Sequence, residues 1–117
     1  MNREFSREIE RLVKVSLAFH NLNKLVESKL NLSLVQYHCL AQIRCQPGIS
    51  SQALADAIGL HASSLTQTIK RLSKRKFVFV GEHPKDSRKK MLSLTAEGMR
   101  IIDSFESQIE TYLKVEN

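Results

Sequence analysis

A glycine at position 59 cuts a helix-forming stretch in two, and that cut constrains everything on either side of it. Upstream, Ser51 to Ile58 carries Leu54, Ala55 and Ile58 on one stripe, with Ser50 or Ser51 able to cap the helix. Gly59 takes the left-handed backbone that a tight turn requires. Leu60 then re-enters the core, and Ser63 or Ser64 is placed to cap a second helix. In that helix Leu65, Ile69 and Leu72 form the buried stripe. Two short amphipathic helices joined in this way make a helix-turn-helix.

Beyond the second helix the chain turns β in character. Phe77-Val78-Phe79-Val80 is β-branched and aromatic and predicts a strand. Glu82 to Lys90 is polar, contains Pro84 and predicts a long tip, and Met91 to Leu94 predicts a second short strand. Ile49 supplies a single residue of a third. A hairpin directly after a helix-turn-helix is a wing.

The charge is concentrated in the same window. Lys70, Arg71, Lys74, Arg75, Lys76, Lys85, Arg88, Lys89 and Lys90 face only Glu82 and Asp86, so residues 70–90 carry +7. The whole chain is +6, which leaves −1 for the remainder. Positive charge gathered in one window is the electrostatic footprint of a polyanion-binding surface. Opposite the Leu65/Ile69/Leu72 stripe the second helix shows Ser63, Ser64, Gln67, Lys70, Arg71 and Lys74. Hydroxyls and amides can meet base edges, while Lys and Arg reach guanine or phosphate. A merely solvated face would explain the helix alone, but not the charge gathered around it. The candidate DNA-contacting residues are these six with Ser51 on the first helix and Lys85, Asp86, Arg88 and Lys89 on the wing.

The stretch from Leu34 to Ile102 resembles the DNA-binding core of the MarR family of bacterial transcription regulators. The pieces that carry the likeness are Gln52-Ala53-Leu54-Ala55 with Gly59-Leu60, then Ser64-Leu65-Thr66-Gln67 through Arg71-Leu72. Asp86-Ser87-Arg88 matches the family's Asp-x-Arg, and Leu94-Thr95-Ala96-Glu97-Gly98 its Leu-Thr-x-x-Gly. The resemblance implies a dimeric winged helix, with Arg88 entering a minor groove and Asp86 helping to hold it. It also implies a small-molecule effector of unidentified chemistry between dimer helices and winged domain. The chain departs from the family at Lys76, where a glycine is usual, and at Gly81 and Glu82, where a basic residue is common. The usual member also adds a helix after the one that leaves the wing, so a short member is expected here.

The remaining sequence frames this core. At 117 residues the chain is read as one domain, able to bury about two-thirds of its unfolded surface. Its expected parts are an N-terminal dimerisation helix (1–30), the winged helix-turn-helix (34–95) and a C-terminal dimerisation helix (96–115). In the first part Phe5, Ile9, Leu12, Val13, Phe19, Leu22, Val26 and Leu30 form a stripe at helical spacing. Val15, Leu17 and Leu25 widen it to more than one face, which favours a partner chain. Ser33 is a candidate cap for a helix from Leu34 to about Gln46, stopped by Pro47-Gly48. Thr95 caps the last helix, where Ile102, Phe105, Ile109 and Tyr112 make a coiled-coil-like seam. The expected dimer interface is therefore Phe5, Ile9, Leu12, Ile102, Phe105, Ile109 and Tyr112.

Other chemistries find less support. Cys39 and Cys45 lie on different sides of one helix, cannot pair with each other, and are expected to be buried and inert. His20, His38, His61 and His83 are scattered without metal-ligand spacing, although His61 and His83 fall in the turn and the wing. No phosphate-binding glycine loop or Ser/His/Asp arrangement is present, so no cofactor, metal or catalysis is expected. No apolar run follows Met1, and a cytoplasmic location is expected. The sequence thus predicts a mainly α fold with a small β-wing that binds operator DNA as a homodimeric repressor. The alternative is a winged helix whose basic face meets an acidic protein.

Overall fold

Asn2 starts the first helix by accepting a hydrogen bond from the Phe5 amide at 2.8 Å, which satisfies an N–H that the helix itself cannot. A computed structural model of the chain describes residues 2–116, with side chains described through residue 110. The chain divides into two compact units, Met1–Leu34 and Val35–Asn117.

The first unit is helix α1, Arg3–Leu30, with the residues that close it. Asn31 ends it in a left-handed conformation (φ 54°), its N–H bonding the Glu27 carbonyl at 2.9 Å. Most of the apolar stripe stands in the open. Phe5, Ile9, Leu12, Val13, Val15, Leu17, Phe19 and Leu22 are all exposed, Leu12 at 61%.

The second unit runs α2 (Leu34–Cys45, its first residue belonging to the first unit), β1 (Ile49–Ser50), α3 (Ser51–Ile58), α4 (Ala62–Lys74), β2 (Val78–His83), β3 (Asp86–Leu94) and α5 (Ala96–Glu116). The strands form an antiparallel sheet in the order β1-β3-β2, with Ile49 opposite Leu92 and Val80 opposite Leu92 on the other side. The core holds Leu40 and Ile43 of α2, Leu54 of α3, Leu65 and Leu72 of α4, Leu92 of β3, and Ile102 and Phe105 of α5. Ser50, one of the two serines the sequence offers, caps α3 through the Ala53 amide at 3.1 Å, and Gly59 closes it at φ 73° as expected.

Several local expectations are corrected. Helix α4 begins at Ala62 with His61 at its cap position, where no side chain caps it, so Ser63 and Ser64 lie within the first turn. The two residues between Gly59 and Ala62 already reverse the chain, and the His61 carbonyl takes the first helical bond, from Leu65. The wing strands also run further than their apolar residues, leaving only Pro84 and Lys85 between them. Glu82 pairs across to Lys90, with carboxylate and ammonium 3.6 Å apart. Opposed charges extend the ladder where β-propensity alone would have stopped it. Cys39 is buried, and burial pushes its thiol up to about 11, but Cys45 is exposed at the end of α2.

Ile102 and Phe105, expected at a dimer interface, lie in the chain's own core, at 0% and 2% exposure. Phe105 meets the Tyr37 ring edge-on, centroids 5.2 Å apart. An apolar seam on a terminal helix cannot by itself say whether its cover is the same chain or another. Ile109 is partly exposed, and the side chain of Tyr112 lies outside the described residues.

Beside Phe105, α2 and α5 are clamped by polar contacts. Arg44 reaches Glu106 at 2.6 Å and Asp103 at 3.1 Å, and the Tyr37 hydroxyl donates to Glu106 at 2.8 Å. The Arg44 bond holds the Glu106 carboxyl below its usual range, with burial opposing it. Burial, then the bond to Glu106, raises the Tyr37 hydroxyl to about 12. Because the folded-state value of Glu106 is depressed, its contribution is present above the unfolded value and lost as pH falls through the folded one. Thermal unfolding from pH 7 down to about 3 should therefore show Glu106→Gln less stable at neutral pH, with the gap closing below about pH 4.3. A gap that stays constant across that range would refute the assignment.

Candidate nucleic-acid interface

The polar face of α4 is set by what the opposite face buries. Leu65, Ile69 and Leu72 pack inward, so Ser63, Ser64, Gln67, Lys70, Arg71 and Lys74 must stand outward, and all six are exposed. Thr66 and Thr68 return their hydroxyls to the carbonyls of Ala62 and Ser64 at 2.9 and 3.1 Å. Those back-bonds leave the face of α4 lined by short groups at its start and by cations towards its end.

The wing stands next to that face. Pro84 and Lys85 turn the chain, the Lys85 amide donating to Nδ1 of His83 at 3.1 Å. Asp86 then accepts twice on one oxygen, from the Arg88 amide at 3.0 Å and from Arg88 Nε at 3.2 Å. These two bonds, the side-chain one first, hold the Asp86 carboxyl below its ordinary value. The Arg88 side chain remains 92% exposed, while that of Asp86 is only 29% exposed. The carboxylate is thus part of the wing's frame, and the guanidinium projects from it. Tethered at Nε, this exposed guanidinium still has two terminal nitrogens that can donate.

Between α4 and the wing lies an open groove of about 470 Å³, lined by Ser51, Thr66, Ile69, Lys70, Ser73, Lys74, Val80 and Lys90. Ile69 and Val80 give it apolar surface and Lys70, Lys74 and Lys90 three ammonium groups, a lining suited to a negatively charged backbone. The groove brings Ser51, Lys70 and Lys74 of the expected set together. Lys85, Arg88 and Lys89 stand apart from it, exposed on the wing. Lys90, Thr66 and Ser73 were not among the expected contacts. For Lys90 the signal was available, since it sits two residues from Arg88 on one strand and so on the same face.

This architecture has close counterparts. Residues 32–90, about half of the chain, match the sequence profile of the MarR family. The chain belongs to the MarR family. Transcriptional regulator HosA of Escherichia coli O111:H- is 30% identical over 93 residues, spanning 73% of this chain and 69% of HosA. Wild-type MarR of E. coli, solved in its apo form, superposes with a TM-score of 0.75 at 25% identity, covering 84% of this chain and 73% of that one. FabT of Streptococcus pneumoniae, solved in complex with DNA, shares the fold at a TM-score of 0.82 and 14% identity, covering 94% and 79%. Against this MarR-family background Lys76 stands out, with a left-handed backbone (φ 65°) on a residue that bears a side chain. That conformation costs about 1–2 kcal/mol for an L-residue, which is why glycine suits the position. Among the described residues no helix is long and apolar enough to cross a membrane.

Proposed function

We propose that this MarR-family chain is a transcription regulator that binds double-stranded DNA as a homodimer. It acts in the cytoplasm as a repressor on a near-palindromic operator, and it regulates rather than catalyses. Helix α4 enters the major groove, where Gln67 and the serines read base edges and Lys70, Arg71 and Lys74 engage phosphate or guanine. Arg88 enters the flanking minor groove, and Lys85 and Lys89 hold the backbone beside it. The observation that carries this reading is the exposed polar face of α4 together with an exposed guanidinium on the wing that Asp86 tethers. The DNA complex of FabT, a protein of the same fold, supports it. The homodimer is supported by the exposed apolar stripe of α1, from Phe5 through Ile9 and Leu12 to Leu22.

Binding should weaken steeply with salt, since each neutralised phosphate releases counterions. Lys74→Ala should weaken all duplexes alike, whereas Gln67→Ala should narrow the gap between selected and random DNA by about 1–3 kcal/mol. Titration of both variants against a selected duplex and a random one tests the assignment, and an unchanged gap for Gln67→Ala would remove Gln67 from the reading face. The selected site should be a near-palindrome with half-sites about 34–36 Å apart, one helical turn. Sedimentation of a monomer at micromolar concentration would remove the homodimer.

A further inference from the structure

The end of α4 and the start of α5 meet in one knot of bonds. Helix α4 closes with the Phe77 amide on the Leu72 carbonyl at 3.0 Å and the Lys76 amide on that of Ser73 at 2.9 Å. These are the paired bonds of a Schellman closure, and they require the left-handed backbone seen at Lys76. The carbonyls of Lys76 and Phe77 are both taken at the head of α5. Thr95 donates its hydroxyl to the Lys76 carbonyl at 2.6 Å and its amide to the Phe77 carbonyl at 3.1 Å. The same hydroxyl accepts from the Gly98 amide at 3.0 Å, and so caps α5 as well. Gly98 then lies against Phe77 so closely that a Cβ there would sit 2.2 Å from its carbonyl oxygen.

One hydroxyl therefore does two jobs that are chemically separable. Capping α5 needs an acceptor, which several side chains could supply. Holding the end of α4 needs a proton to donate, which an ionised carboxylate lacks. We propose that Thr95 is a positioning residue that fixes the angle between α4 and α5, whose partly exposed Ile109 leads into the expected dimer seam, and thereby the half-site spacing that the dimer accepts. The inference rests on the homodimeric DNA-binding reading. A 13-residue helix is about 20 Å long, so a change of about 5° at its end moves the far residues by about 2 Å. One base pair between half-sites shifts the target by about 3.4 Å and turns it by roughly 35°, so a lever of this size matters.

The test uses the duplex that the wild-type protein selects from a randomised library, and versions with one base pair inserted or removed between half-sites. Wild type should lose affinity about tenfold or more for each altered spacing. Thr95→Asp keeps an acceptor for the Gly98 amide but has no proton for the Lys76 carbonyl. Its discrimination should fall below about threefold, with sedimentation still showing a dimer and random-DNA affinity unchanged. Thr95→Ser, which restores the hydroxyl, should recover the wild-type preference. Thr95→Val, isosteric and uncharged, removes the donor and the cap acceptor together and serves as the second variant should the aspartate one fail to fold. A dimeric Thr95→Asp or Thr95→Val that discriminates spacing as sharply as wild type overturns the inference. A monomeric wild type removes instead the homodimer on which it rests.

Discussion

Replacing Arg88 by alanine is expected to lower affinity for DNA about ten- to a hundredfold while leaving the melting temperature where it is. The asymmetry comes from placement. The side chain is 92% exposed, and its one described partner is Asp86 two residues away, so folding loses almost nothing with it. Binding loses a planar donor suited to a narrow minor groove, and the loss should be greatest on A/T-rich flanks. Asp86→Ala should cost less, because the cation remains but is no longer tethered at Nε. Lys at this position should rescue in part, restoring charge without the fork. Fluorescence anisotropy at near-physiological salt, paired with thermal unfolding, reads both halves. Equal binding by wild type and Arg88→Ala would mean that Arg88 makes no contribution to DNA recognition.

The largest loss of stability is expected from Gly98→Ala. A methyl group at that position would stand 2.2 Å from the Phe77 carbonyl oxygen, 3.1 Å from its carbon and 3.2 Å from its Cα. All three are backbone atoms, and they are fixed by the Thr95 bonds and by the closure of α4, so no side chain can swing aside. Alanine would normally favour a helix over glycine by about 1 kcal/mol. Here the steric term outweighs that gain, and a net cost of about 2–4 kcal/mol is expected, a fall in melting temperature on the order of 10 °C. Chemical denaturation would measure it, and a variant as stable as wild type would show that α5 can shift away from Phe77 without penalty.

How far the sequence discloses the fold depends on the range of the interactions. Leu65, Ile69 and Leu72 were legible because one stripe of a short helix has only one place to go, and all three are buried. The cap of α3 was legible to within one residue, Ser50 or Ser51, since it acts within three residues. Glu82 and Lys90 became strand residues through a partner eight positions away, and no local propensity carries that information. Ile102 and Phe105 show the limit for helices: periodicity identified an apolar face but not that Tyr37 and the protomer's own core would cover it. In the candidate site, the tie between Asp86 and Arg88 was legible through the resemblance to the family's Asp-x-Arg, whereas the groove that gathers Thr66, Ser73 and Lys90 exists only once wing and helix are placed side by side.

The apolar stripe of α1 has a further consequence for how such a protein is controlled. If a second copy covers Phe5, Ile9 and Leu12, the DNA-competent species forms in a second-order reaction. Below the dimer dissociation constant its amount varies as the square of the chain's concentration, so doubling synthesis raises it about fourfold. A promoter under such a protein would respond to its abundance more steeply than any single binding step allows. The helix that looks like the plainest part of the chain would then set the gain of the switch.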